Sequence, residues 1–263
     1  MSTSVPARLR PLSWSVAALL CLVALPAPAQ SPAAPAAAAP PASEAPPSSA
    51  EIMETFGKAS TGNVADAVDE ATGVRGFMAR DMKPVFRAKV IGPAVTVLLR
   101  KALRNDKRDW PNLQIQTLDA APPGSVIVEV LEDGLDIAGI GNLMATTGKV
   151  RGLAGMVIDG GAHDVEELEE IGFPVWSRSL TPATSVGRYV SVARDVPVMC
   201  GGILVRSADW IVADATGVVV VPAESLAQVL RLLRQYDAKE TRMVPLIKET
   251  KSMGKALEKF NRY

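Results

Sequence analysis

The segment Asp159-Gly160-Gly161-Ala162-His163-Asp164 sets the only histidine of the chain beside a carboxylate, directly after an apolar run that ends in paired glycines. An imidazole titrates near neutral pH, so His163 can hydrogen-bond a keto oxygen or deliver a proton to it. A neighbouring carboxylate, Asp164, can hold a hard cation directly or through water. Strand ends followed by glycine turns are also where α/β sheets commonly carry ligands. A second feature lies upstream, in Gly141-Asn142-Leu143-Met144, which reads as a helix start. The opening amides of a helix lack internal partners and carry partial positive charge. Glycine lets a ligand come close to the backbone, so a carboxylate or phosphate can bind there. Together the two features point to a site for a small acid, of the keto-acid type.

The same residues carry plainer readings. Gly-Asn is a good helix opening in its own right. Asp164 and Glu167 have capping-box spacing for the acidic helix that follows, which would leave His163 a solvated turn residue. The run Glu166, Glu167, Glu169 and Glu170 reads as a solvated helix face, because consecutive helical positions do not point one way. Cys200 reads as a small buried residue and Asp214 as a turn residue. No Gly-x-Ser-x-Gly elbow, P-loop or strand-linked Gly-x-Gly-x-x-Gly is present, so serine hydrolase, kinase and Rossmann dehydrogenase chemistry lose their usual signatures.

The elements that must position these residues alternate between helix and strand. Helical patterns cover 51–58, 64–68 up to Gly73, 112–120 and 143–150, with Asn142 as the expected N-cap of the last. Further helices follow at 165–171 and from 223 to about 260, the latter expected to break near Pro245 or Gly254. Strand patterns cover 88–90, 94–99, 126–131, 155–159, 175–177, 189–193, 203–205, 210–213 and 218–221. The 155–159 strand is apolar on both faces, as in a covered sheet. The class is α/β with a mixed sheet and a helical C-terminal tail.

The chain ends bound the setting. Arg8 and Arg10, a short apolar run at 16–25 and Ala27-Pro28-Ala29 make residues 1–29 an expected signal peptide, with an apolar run too short for a stable membrane anchor. Residues 30–50 are almost entirely Ala, Pro and Ser, an expected disordered tether. Residues 51–263 are left as one domain, in the periplasm or outside the cell. Only Arg8, Arg10 and Glu44 carry charge before residue 51, and the chain has 28 basic and 28 acidic residues. The domain is therefore near neutral, and no basic stripe suggests nucleic acid. One histidine, with Cys200 alone after cleavage, argues against a zinc site and leaves Mg²⁺, Mn²⁺ or Ca²⁺ as the candidate ions.

Six motifs in order carry a resemblance: Gly-Pro-Ala-Val-Thr-Val at 92–97, Pro-Pro-Gly-Ser-Val-Ile-Val at 122–128, Gly-Asn-Leu-Met-Ala-Thr at 141–146, Arg-Gly-Leu-Ala-Gly-Met-Val-Ile-Asp-Gly at 151–160, Gly-Phe-Pro-Val-Trp at 172–176 and Asp-Ala-Thr-Gly-Val-Val-Val-Val-Pro at 214–222. Across roughly 55–225 the chain resembles the RraA-like family. That family holds 4-hydroxy-4-methyl-2-oxoglutarate aldolases with oxaloacetate decarboxylase activity, the regulator of ribonuclease E activity, and members labelled demethylmenaquinone methyltransferases. The resemblance implies a swivelling α/β/β/α-type fold, a homotrimer or dimer of trimers, and a site near a subunit boundary. It implies that Gly141, Asn142, Leu143, Met144 and His163 bind a small 2-oxo acid and that Asp164 holds Mg²⁺ or Mn²⁺. Glu167 matches the acid that follows the family's Arg-Asp pair and stands as a second-sphere candidate. The implied catalytic groups are His163, Asp164 and Asn142, acting through a metal-stabilised enolate in a class II-type lyase. Two positions depart from the family: His163 replaces its Arg, and Asn142 replaces its acid. These departures support an alternative, a catalytically silent member that binds a small acid or a protein. Regulation of ribonuclease E conflicts with the expected export.

Overall fold

The computed structural model describes residues 47–105 and 108–260. The expected signal peptide, and the tether up to residue 46, lie outside the described residues. The first helix, α1 (Ser49–Lys58), starts inside the expected tether because Ser48 caps the Glu51 amide. After α2 (Thr61–Thr72) and β1 (Lys83–Pro84), the chain enters β2 (Val90–Lys101), α3 (Leu113–Ala120), β3 (Val126–Leu131), β4 (Ala138–Ile140), α4 (Asn142–Val150), β5 (Gly155–Ala162) and α5 (Val165–Ile171). Then come β6 (Val175–Leu180), β7 (Tyr189–Arg194), β8 (Val198–Cys200), β9 (Ile203–Val205), β10 (Trp210–Ala213) and β11 (Val218–Val221), closed by α6 (Leu226–Thr250) and α7 (Met253–Phe260).

These elements form a mixed sheet of nine strands whose main path runs β1-β6-β5-β3-β2-β10-β11, while β4 pairs with β5 and β7 with β2. β2, β3, β5 and β6 run parallel, joined by α3, α4 and α5. β8 and β9 make a separate hairpin. The alternating faces of β3 fix the layers. Val126, Val128 and Val130 enter a core with Trp176, Cys200 and Ile211, while Ile127 and Leu131 enter a second core with Leu118, Ala145, Leu168 and Phe173 under α3–α5. A third core packs α1, α2 and α6 on β10 and β11. At Gly148 of α4 an added Cβ would lie 2.6 Å from the Phe173 ring, so the missing side chain lets α4 sit down on the second core. That seat aims the N-terminus of α4 at the end of β5.

Several sequence expectations change. The two strands expected at 88–90 and 94–99 are one strand, because Pro93 lies where β2 passes from β10 to β3: Trp210 opposes Pro93, and Val126 opposes Ala94. β5 runs through Gly160 and Gly161 to Ala162 instead of stopping at 159. Gly161 presses against β6, where a Cβ would lie 2.9 Å from Ser179 Oγ, so these glycines serve close strand packing rather than a turn. α6 passes through Pro245, and the tail breaks at Lys251 in the left-handed region (φ 51). Gly141, not Asn142, occupies the N-cap of α4. β1, β4 and β8 carry no periodicity long enough to read.

Candidate active site

α4 begins at Asn142, and its N-cap Gly141 offers no side chain to the helix amides. The missing cap comes from elsewhere in the chain. Asp164 Oδ2 accepts the Asn142 amide at 3.0 Å, and Asp164 Oδ1 lies 2.7 Å from His163 Nδ1. Asp164 also stands at the N-cap position of α5, but it makes no side-chain cap there and sits in the left-handed region (φ 56). The capping-box reading is therefore not what the side chain does: it turns away from its own helix to reach α4. A non-glycine residue in that conformation costs of order 1 kcal/mol, which its two polar contacts offset.

Gly141 lies between these groups. A Cβ added there would sit 2.5 Å from His163 Nε2 and 2.7 Å from Asp164 Oδ2, so only glycine leaves the space. The amides of Leu143 and Met144 follow at the opening turn. A pocket of about 300 Å³ meets these groups, walled by Asn112, Gln114, Gly139, Gly141, Asn142 and His163 among others. The Asn142 amide holds the Asp164 carboxyl below the usual carboxylate range, against a smaller opposing push from burial, and His163 adds to the lowering. Asp164 is thus an anion at neutral pH. With Nδ1 donating to it, a neutral His163 presents Nε2 as an acceptor, and a protonated one presents it as a donor.

Glu167 is exposed on α5 and has no hydrogen-bond partner among the described residues, while Glu166 edges an adjoining hollow with His163 and Asp164. Among the described residues, no group of three or more His, Cys, Asp or Glu gathers that could hold a metal by itself. A hard dication still suits Asp164, because such ions are often held by one carboxylate, with water and ligand oxygens completing the shell. Larger hollows exist. One of about 800 Å³ contains Arg178, whose guanidinium is spent on Asp81 and Asp159 at 2.8 and 2.9 Å. Cys200 is fully buried, with its thiol pushed up by desolvation, and Asp214 closes a turn with Thr216.

Sequence reasoning missed Gln114, on the wall of this pocket, and Glu129, which lies behind it. Glu129 occupies the α3–α5 face of β3 between Val97 and Ile158 and is fully buried. Its Oε2 accepts from Gln114 Nε2 at 2.8 Å, and its Oε1 has no partner. Burial pushes its carboxyl up to about 8, against a smaller lowering by Gln114. An acid inside the apolar run Val126–Leu131 was the available signal.

Fold and site together define an α/β protein with a mixed sheet in which a strand-end carboxylate caps the N-terminus of α4. The Aldolase/RraA model of the RraA-like family matches residues 61–220, and the chain belongs to that family. It is 30% identical over 190 residues to a Halalkalibacterium halodurans protein provisionally named 4-hydroxy-4-methyl-2-oxoglutarate aldolase, covering 72% of this chain and 84% of that one. An uncharacterized protein of Methanocaldococcus jannaschii is 31% identical over 166 residues, 62% of this chain and 76% of its own. Among solved structures, a Streptomyces coelicolor member of the RNase ES inhibitor RraA family superposes with a TM-score of 0.66 at 26% identity, covering 76% of this chain and 98% of that one. An uncharacterized Pseudomonas syringae protein superposes at 0.70 and 25% identity, covering 80% and 98%.

Proposed function

We propose that the protein is a divalent-metal-dependent lyase that cleaves a small 2-oxo acid. The observation that carries this reading is the meeting, across Gly141, of the open N-terminus of α4 with the His163–Asp164 pair. A bound Mg²⁺ or Mn²⁺ would polarise the 2-oxo group and stabilise the enolate left by aldol cleavage or decarboxylation. Asp164 would hold that ion, with Asn142 orienting water beside it. The amides of Leu143 and Met144 bind the substrate carboxylate, using helix groups that have no internal partner. When protonated, His163 donates from Nε2 to the oxo oxygen and offsets part of its developing charge. No lysine Schiff base is needed.

Names borne by relatives support this reading. We extend the proposal to assembly and place: a homotrimer or dimer of trimers, exported to the periplasm or beyond. Leu143 and Val186 at the pocket are 81% and 82% exposed, which favours burial against another subunit. Among the described residues, no helix is long and apolar enough to cross a membrane. The test is cleavage of oxaloacetate and a panel of 4-hydroxy-2-oxo acids with Mg²⁺, Mn²⁺ or EDTA. Absence of metal-dependent cleavage in folded protein overturns the reading. Strong activity gained only in the double variant His163→Arg, Asn142→Asp would favour the silent, binding-only reading, which those two residues motivate.

A further inference from the structure

The pocket wall opposite in sequence to the α4 site is built around Gln114, on the first turn of α3. Its backbone amide donates to Ser191 Oγ at 3.1 Å, and its side-chain Nε2 donates both to Glu129 Oε2 and to the Gly139 carbonyl, each at 2.8 Å. Both Nε2 hydrogens are therefore used. Flipping the amide would set two acceptors, Gln114 Oε1 and the Gly139 carbonyl, against each other, so the orientation is fixed. Gln114 Oε1 has no partner among the described residues and is not sealed from solvent, and Gln114 forms part of the pocket wall. Glu129 is packed in an apolar face without a cation, and Gly139 has no side chain because a Cβ would fall inside the contact distance of Glu129 Oε1. Burying a carboxyl with one oxygen unpartnered costs free energy.

We propose that Gln114 is a specificity-determining residue of this pocket, and that Glu129 and Gly139 position it. Its fixed Oε1 accepts a hydrogen bond from a hydroxyl on the carbon chain of a bound 2-oxo acid, beyond the oxo carbon. The favoured ligand class is therefore hydroxylated short-chain 2-oxo acids over their deoxy counterparts. The inference rests on the site assignment above. Glu129 acts only through Gln114 and touches no ligand.

The test is calorimetric binding to the full chain in Mg²⁺ buffer. The probes are 2,4-dihydroxybutanoate and 2-hydroxybutanoate, reduced analogues that cannot undergo aldol cleavage. One neutral hydrogen bond is worth about a tenfold preference for the dihydroxy acid. That preference should fall to about one in Gln114→Leu and in Glu129→Leu, which frees the amide. It should survive in Glu129→Gln, whose amide oxygen still accepts from Gln114. Retention of the preference in Gln114→Leu overturns the proposal, as does its loss in a folded Glu129→Gln. Equal binding of both acids by the parent overturns this inference and leaves the site assignment standing. Binding of neither acid by the parent overturns both.

Discussion

Asp164, just past the end of β5, and Glu129, within β3, are both carboxylic acids, yet the fold drives the first to the anion and the second to the neutral acid. Asp164 stands just past the end of β5, where the open N-terminus of α4 supplies an amide at 3.0 Å and His163 supplies a second polar contact. Glu129 stands in mid-strand between Val97 and Ile158, with one amide donor and a bare oxygen. A strand end offers helix dipoles and solvent, whereas a strand centre offers only hydrocarbon. The same functional group is therefore an anion suited to a cation at one place and a neutral acid suited to holding an amide at the other.

The widest effect should come from breaking the neutral member. Glu129 has a folded value of about 8, raised from 4.5. The native state then binds a proton that the unfolded chain releases. Its stabilising contribution is complete below about pH 4.5 and is lost as pH rises toward and through 8. At roughly 1.4 kcal/mol per pH unit the swing approaches 5 kcal/mol. Glu129→Gln should remove that slope, so denaturant midpoints of variant and parent should diverge in the variant's favour between pH 5 and pH 9. Asp164 has the opposite sign: its depressed value contributes stability above the ordinary carboxylate range and loses it as pH falls through the folded value. Asp164→Asn should accordingly cost stability at pH 7 and little near pH 2.

Breaking the ionised member should show in catalysis. Asp164→Ala is expected to lower metal-dependent cleavage by about a thousandfold, comparable to removing a main electrostatic support of an oxyanion. Gly141→Ala should lower it by roughly a hundredfold, because its Cβ would displace the His163 ring and crowd Asp164 Oδ2. Circular dichroism should remain native, since Gly141 has an extended backbone that alanine can adopt. The smallest effect sharpens the comparison. His163→Arg with Asn142→Asp should change kcat/KM by about tenfold, consistent with one charge-assisted hydrogen bond gained over a site that already works.

Half of this comparison was legible in the sequence. Glycines around a lone His-Asp pair and at a helix start announce close backbone approach, so Gly141, His163 and Asp164 stood out, and the structure brings those three together. The β-branched runs at 210–213 and 218–221 read as strands and are strands. What could not be read was long-range. The cap on α4 comes from a residue that local spacing assigns to α5. Gln114 and Glu129 meet only through the packing of α3 on the sheet. β4 has three residues, too few for a periodicity, although its Gly139 carbonyl fixes Gln114.

The most direct test is oxaloacetate decarboxylation by the protein in Mg²⁺ or Mn²⁺, in EDTA, and in the Asp164→Ala variant. The account requires activity that falls together in EDTA and in the variant. Activity that survives both, or none at all in folded parent protein, would contradict it.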